Sequence, residues 1–148
     1  TVEFWFRCGD NVDPRRIVCK DQQSVPGAWI LWKDYSGNLT FQTHDGTDWY
    51  HATYSSYVED NEWHHLVGVY GNSTIKLYLD GVEVSSGVAG VSLDDTDNEE
   101  IVIGADSDIP SPLHEWLGDI PNIKIYNKTL SSDEVMRNYN TLKGRFGL

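Results

Sequence analysis

Apolar and polar residues alternate along most of this chain in ten short runs: "VEFWFRC", "RIVCK", "AWILWKD", "LTFQT", "WYHATY", "WHHLVGVY", "TIKLYLD", "VEVSS", "EEIVIGA" and "NIKIYN". Period-two alternation rich in β-branched and aromatic residues marks strands. Turn chemistry falls between the runs, in "YSGN", "HDGTD", "YGNS" and the Asp80-Gly81 pair, the last a strong tight-hairpin signal. The strands do not alternate with helices, so the pattern predicts an antiparallel all-β sandwich. One helix is predicted near the end, within "TLSSDEVMRNYNTLK". There Ser131 caps, Glu134 reaches back from three residues later, and Val135 with Tyr139 forms an apolar stripe at i, i+4.

The run "WHHLVGVY" places two histidines side by side. Neighbouring side chains on a strand point to opposite faces, so Trp63, His65, Val67 and Val69 share one face and His64, Leu66, Gly68 and Tyr70 the other. The two imidazoles therefore cannot close on one metal ion. His65 is expected in a row of core residues, with its ring nitrogens hydrogen-bonded as buried polar groups require.

With 148 residues, 39% hydrophobic and 12% aromatic, the chain is long enough for one sizeable core and short for two. A single domain over residues 1–148 is expected. The sequence opens on Thr1, already inside an alternating run, which suggests the C-terminal part of a longer polypeptide. No apolar run approaches the ~20 residues that span a bilayer, and a membrane partner is not expected. The formal net charge of −12 opposes a phosphate backbone, so nucleic acid is a poor partner, whereas neutral glycans and divalent cations are compatible with it. Cys8 and Cys19, near the ends of two successive strands, fit either a cross-strand disulfide or two reduced core thiols.

The segments "WHHLVGVY", "TIKLYLDGVEV", "IVIGAD" and "WLGDIPNIKIYNKTLSSDEVMRNY" resemble, in motif and order, the laminin G-like, concanavalin A-like jelly-roll domains. The resemblance covers about residues 61–140, and "VEFWFR" fits the family's opening strand. It implies a jelly-roll β-sandwich. Where the family often carries an acidic pair after Gly-x-Ile, this chain has Pro121 and Asn122, which leaves the local hydrogen bonding open. The ending "NYNTLKGRFGL" is similar to the C-terminal signature of laminin G-like domains in structural proteins of tailed bacteriophages. That likeness implies a virion protein, either a capsid decoration or a tail-fibre adhesin at the particle surface. Its expected partner is a surface glycan or a neighbouring virion protein, and such proteins are often homo-oligomers.

The same jelly roll hosts glucanases, whose carboxylates resemble one another in an E-x-D-x-E pattern with apolar spacers on a half-buried strand. The nearest match, Asp95-Thr96-Asp97-Asn98-Glu99, has polar spacers and precedes a strand, so no catalytic residue is assigned and the expected protein is not an enzyme. Alternating carboxylates in that loop offer hard oxygen ligands, and Asp95, Asp97, Asp106 and Asp108 form a candidate Ca²⁺ set. For glycan or partner binding, the best stretch is "HDGTDWYHATYSSY", where aromatics adjoin a polar loop. Trp49, His51 and Thr53 point one way, Tyr50, Ala52 and Tyr54 the other. The favoured binding set is Trp49, Tyr50 and Tyr54 with His44, Asp45 and Asp48, on the expectation that this strip faces away from the core.

Overall fold

The computed structural model describes residues 1–9, 14–20, 26–34, 36–56, 58, 60–90, 100–106 and 114–148. Among the described residues ten strands form: β1 (Val2–Cys8), β2 (Arg15–Lys20), β3 (Trp29–Lys33), β4 (Leu39–His44), β5 (Trp49–Tyr54), β6 (Trp63–Gly71), β7 (Thr74–Leu79), β8 (Val82–Val88), β9 (Val102–Ile103) and β10 (Gly118–Ile125). They make two five-stranded sheets, ordered β10-β1-β6-β7-β8 and β5-β4-β3-β2-β9. Every neighbouring pair is antiparallel. The all-β sandwich is therefore as the alternation predicts. The turn between β7 and β8 uses Asp80 at φ 50° and Gly81 at φ 83°, the two left-handed residues that a tight hairpin requires.

The inner faces interdigitate. Phe4, Phe6, Leu66, Ile75 and Leu77 of the first sheet meet Ile17, Val18, Leu31, Leu39, Phe41 and Ala52 of the second in one buried cluster. Gly68 is bare for a steric reason, since a Cβ there would stand 2.7 Å from the Phe41 ring of the facing sheet. Trp116 packs edge-on against Phe6 at 5.7 Å and closes one end of the sandwich.

The first sheet is buried on its outer face too. Helix α1 (Ser132–Leu142) and a 3₁₀ turn (Lys143–Phe146) lie across it. Leu130 and Val135 pack on Val67, Val69 and Tyr78 in a second buried cluster. The Trp5 ring is stacked between Tyr139 and Phe146, at 5.7 and 4.2 Å. The helix starts where its sequence says it should. Ser131 Oγ accepts from the Glu134 N–H at 3.3 Å, and Glu134 Oε2 accepts from the Ser131 N–H at 2.8 Å.

The open choice for the cysteines and the expectation for His65 are both decided here. Strands β1 and β2 do not form a hairpin, because β1 sits between β10 and β6 while β2 belongs to the opposite sheet. Cys8 and Cys19 accordingly form no disulfide and are both buried thiols, with Cys8 Sγ donating to Val58 O at 3.6 Å and Cys19 Sγ to Ala105 O at 3.4 Å. His65 is fully buried on the helix-covered face, as its position predicts, but Nδ1 has no hydrogen-bond partner and Nε2 has only a long contact to Glu3. Nε2 stands 3.4 Å from Glu3 Oε1, and the ring is held by packing against Trp5 and Tyr139.

Pro121 and Asn122 also find their reason. Pro121 sits on β10, an edge strand, where a missing N–H disrupts no ladder. Asn122 Oδ1 accepts from the Trp5 backbone N–H at 3.2 Å, beside the register shift of the β1–β10 pair. A side-chain amide thus satisfies the donor that an irregular ladder would leave unpaired.

Candidate functional site

Register decides which side chains of the second sheet face outward. Phe41 pairs with Ala52 and Leu31, and all three belong to the inner core. The residues between them point out. One outward row runs Arg16, Trp32, Thr40, Thr53 across β2 to β5, and the next runs Ile30, Gln42, His51. At an inter-strand spacing near 4.8 Å, the first row extends roughly 14 Å.

Contacts within the face fix it. Trp32 Nε1–H donates to Gln42 Oε1 at 3.1 Å, and the Arg16 guanidinium lies 5.0 Å from the Trp32 ring centroid. Thr40 and Thr53 share a hydrogen bond of 3.1 Å between their hydroxyls. His44 packs against Trp49 with the rings tilted at 57° and their centroids 4.8 Å apart. Ile30, Thr40 and His44 are buried, whereas Arg16, Trp32, Gln42, Trp49 and Thr53 are partly exposed and His51 is exposed. The face thus combines indole rings with amide, imidazole, hydroxyl and guanidinium groups, the chemistry that stacks on the apolar face of a sugar and bonds to its edge.

The strip favoured from the sequence is divided by this geometry. Trp49 lies on the outer face, but Tyr50 and Tyr54 point inward with Ala52 and pack against the core, contrary to expectation. The physical reason is the β4–β5 register, which sets Ala52 opposite Phe41. The loop residues are likewise engaged. Asp45 Oδ1 accepts from the backbone N–H groups of Thr47 and Asp48, both at 2.9 Å, and Oδ2 accepts from the Tyr50 hydroxyl at 3.0 Å. The Asp48 N–H, followed by that of Thr47, holds the Asp45 carboxyl below the usual carboxylate range, and the bond to Asp45 pushes the Tyr50 phenol up. His44 is buried and its Nδ1 accepts from the Gly46 N–H at 3.1 Å, while Asp48 is exposed beside the turn. Gln42 and Arg16 carry no signal in the sequence, whereas Trp32 lies outside the favoured strip but does carry one. The hint was there in "AWILWKD", whose two tryptophans must face opposite sides of one strand.

Of the candidate Ca²⁺ ligands, Asp95, Asp97 and Asp108 lie outside the described residues, as does Glu99 of the acidic run. Asp106 is buried, and its Oδ2 is 2.9 Å from His114 Nδ1. Among the described residues no group of three or more His, Cys, Asp or Glu side chains could hold a metal ion.

His64, on the inner side at the sheet's end, is a clamp between two turns. Its Nδ1 is 2.8 Å from Asp80 Oδ2 and its Nε2 is 3.2 Å from Asp60 Oδ2. The bond to Asp80 raises its pKa, against the opposing effect of burial. On the far side of the sheet Glu3 is buried, with Lys124 Nζ at 2.8 Å, the Tyr126 hydroxyl at 2.9 Å and Asn138 Nδ2 at 2.6 Å. Burial alone would raise the Glu3 pKa, but His65 and these donors together bring it down to about 2.

Two antiparallel sheets with one outer face sealed by a helix and the other bearing a partly exposed aromatic and polar strip define a lectin-like jelly-roll module. The chain belongs to the laminin G 3 family of the concanavalin A-like lectin/glucanases superfamily, whose profile it matches over residues 1–136. No curated protein matches it in sequence. Among solved structures it is similar to the CBM40 of the Ruminococcus gnavus IT-sialidase bound to α2,6 sialyllactose. The identity is 14% and the TM-score 0.73, over 92% of this chain and 80% of that one. It is similar to domains LG4-5 of the mouse laminin α1 chain, at 18% identity and TM-score 0.69, over 89% of this chain and 36% of that one. A third likeness is to botulinum neurotoxin type C, described with two ganglioside molecules, at 15% identity and TM-score 0.67, covering 95% and 35%. At these identities the likeness is one of fold.

Proposed function

We propose that this chain is a non-enzymatic glycan-binding module of a virion structural protein, a capsid decoration or tail-fibre adhesin displayed at the particle surface. The observation that carries the binding reading is the outer face of the second sheet, where Trp32, Gln42, His51, Thr53 and Trp49 stand together partly exposed. The sialyllactose and ganglioside named with two of the similar structures support a sugar as ligand. The virion setting rests on the resemblance of "NYNTLKGRFGL" to phage structural proteins.

A glycan array with the wild-type chain and Trp32→Ala tests the reading. Truncating a stacking aromatic at a recognition surface costs ~2 kcal/mol, roughly thirtyfold in affinity. Loss of array signal in a variant that keeps its melting temperature supports the glycan. Wild-type attachment to particles that contain no glycan assigns the face to a neighbouring virion protein instead, the purely structural decoration role. Release of reducing ends from β-glucans that disappears in Asp95→Asn or Asp97→Asn would make the protein a glucanase. Ca²⁺ is proposed for the acidic loops on composition alone. A melting temperature equal in millimolar Ca²⁺ and in chelator removes it.

A further inference from the structure

Between the sheets, at the end of the sandwich where β1 begins and β10 finishes, lies a cleft of about 590 Å³. Its walls are Trp29 and Phe41 from the second sheet and Val2 and Tyr70 from the first, and its rim includes Asn127 and Thr129. This is the opposite situation from the other end, where Trp116 fills the gap against Phe6. The size falls in the range of sites for small organic ligands.

The cleft is built. The Thr1 hydroxyl donates to Lys128 O at 2.7 Å and accepts from the Leu130 N–H at 3.1 Å, which ties the rim segment to the first strand. Thr129 packs onto the bare backbone of Gly71, where any Cβ would collide with its methyl group. Phe41 reaches over Gly68 in the same way. The walls are therefore fixed by close packing before any ligand arrives, which limits the entropy lost on binding.

Its chemistry selects the ligand class. The two cations of the lining among the described residues are both engaged: Lys128 Nζ is 2.6 Å from Glu134 Oε1, and the Thr1 ammonium donates to Tyr126 O at 3.0 Å. A charged ligand would lose its hydration and meet cations that already have partners. The Tyr70 hydroxyl is occupied by Gly90 O at 2.9 Å. The Trp29 indole N–H and the Asn127 amide make no hydrogen bond among the described residues, and both residues line the cleft together with Phe41 and Tyr70. A purely aliphatic guest would offer neither of these groups a partner. A lining that combines aromatic rings with two unused polar groups matches a molecule with an apolar face and hydroxyls around it.

We propose that this cleft is a second ligand site of the domain, taking a neutral pyranose ring. It shares a ligand class with the function proposed above and uses none of the same residues.

Titration of the ¹⁵N-labelled chain with neutral methyl glycosides of glucose, galactose and mannose, up to about 100 mM to reach weak monosaccharide affinities, tests it by NMR. The expected result is a saturable shift of the Trp29 Nε1–H and Asn127 Nδ2–H signals with at least one glycoside. Trp29→Phe, which keeps the wall and removes the donor, should weaken the response at Asn127 about tenfold, the loss of one hydrogen bond to a ligand. Asn127→Trp, at an exposed rim position, should abolish the shift of Trp29 with the melting temperature unchanged. Absence of any shift at both positions overturns the proposal, as does a response that Asn127→Trp and Trp29→Phe leave intact. So does a cleft that binds the apolar dye N-phenyl-1-naphthylamine and no glycoside. Signals of Trp32 and Gln42 report the open face separately, so shifts there without shifts at Trp29 sink this site and leave the other standing.

Discussion

The two outer faces of this sandwich come from sheets of equal strand number and similar alternation, yet they have opposite fates. On the first sheet, Glu3, Trp5, His65, Val67 and Tyr78 point away from the inter-sheet core and are still buried, because α1 and the 3₁₀ turn cover them. On the second, Trp32, Gln42, His51 and Thr53 point away from the core and remain in contact with solvent. The sealed face spends its polar groups on one another: the Glu3 carboxylate takes up Lys124, Tyr126 and Asn138 and so joins β1, β10 and the helix. The open face keeps rings and amides at a surface. The lesson is that an outward polar or aromatic residue is evidence for recognition only after the helix has been placed.

The largest expected effect separates the faces by stability. Removing one partner from a buried ionic network leaves the others uncompensated, so Glu3→Ala should destabilise the fold by ~3–5 kcal/mol in urea titration. If it costs no more than an exposed substitution, the sealed face is not a structural joint and the comparison fails. Next, Trp32→Ala should leave the urea midpoint nearly unchanged and lower glycan affinity roughly thirtyfold, whereas Tyr54→Ala, whose ring packs on the core, should lower stability first. A reversal of those two outcomes would move recognition to the inward strip.

A smaller effect probes how the helix cover is held. Ser131→Ala removes the cap and should cost ~1 kcal/mol, read as faster hydrogen exchange across α1 while β3 to β5 stay protected. Uniform loosening of both sheets would mean that cover and sandwich unfold as one unit. A pair of pH dependences of opposite sign completes the comparison. Glu3 titrates low in the fold, so its contribution is complete above the ordinary glutamate range and is lost as pH falls from about 4.5 to about 2. His64 has a raised pKa, so its contribution is complete below pH ~6.5 and fades as pH rises through the folded value. Thermal melts of Glu3→Gln and His64→Gln against wild type should each flatten one limb only.

Much of this was legible because it is local. Ser131 and Glu134 are three residues apart and close a capping box wherever the chain carries them, and Asp80-Gly81 needs only its own two backbone conformations. The opposite faces of His64 and His65 follow from strand pleating alone. The fate of the His65 nitrogens did not follow, since a ring packed between Trp5 and Tyr139 depends on where a helix more than sixty residues later comes to rest.

By itself, then, the sequence determined the ten strands, the helix and its cap, the tight hairpin and the two alternative side-chain sets of β5. Only the tertiary structure decided which set looks inward, because that depends on Ala52 pairing with Phe41 across a ladder. It also decided that β1 lies between β10 and β6, which separates the cysteines, and that Trp32 meets Gln42 from the next strand. Alternation is a property of one strand and has period two, so it leaves every strand with two equivalent faces. The choice between them is made by contacts between segments as far apart as residues 2 and 125, which no local pattern encodes.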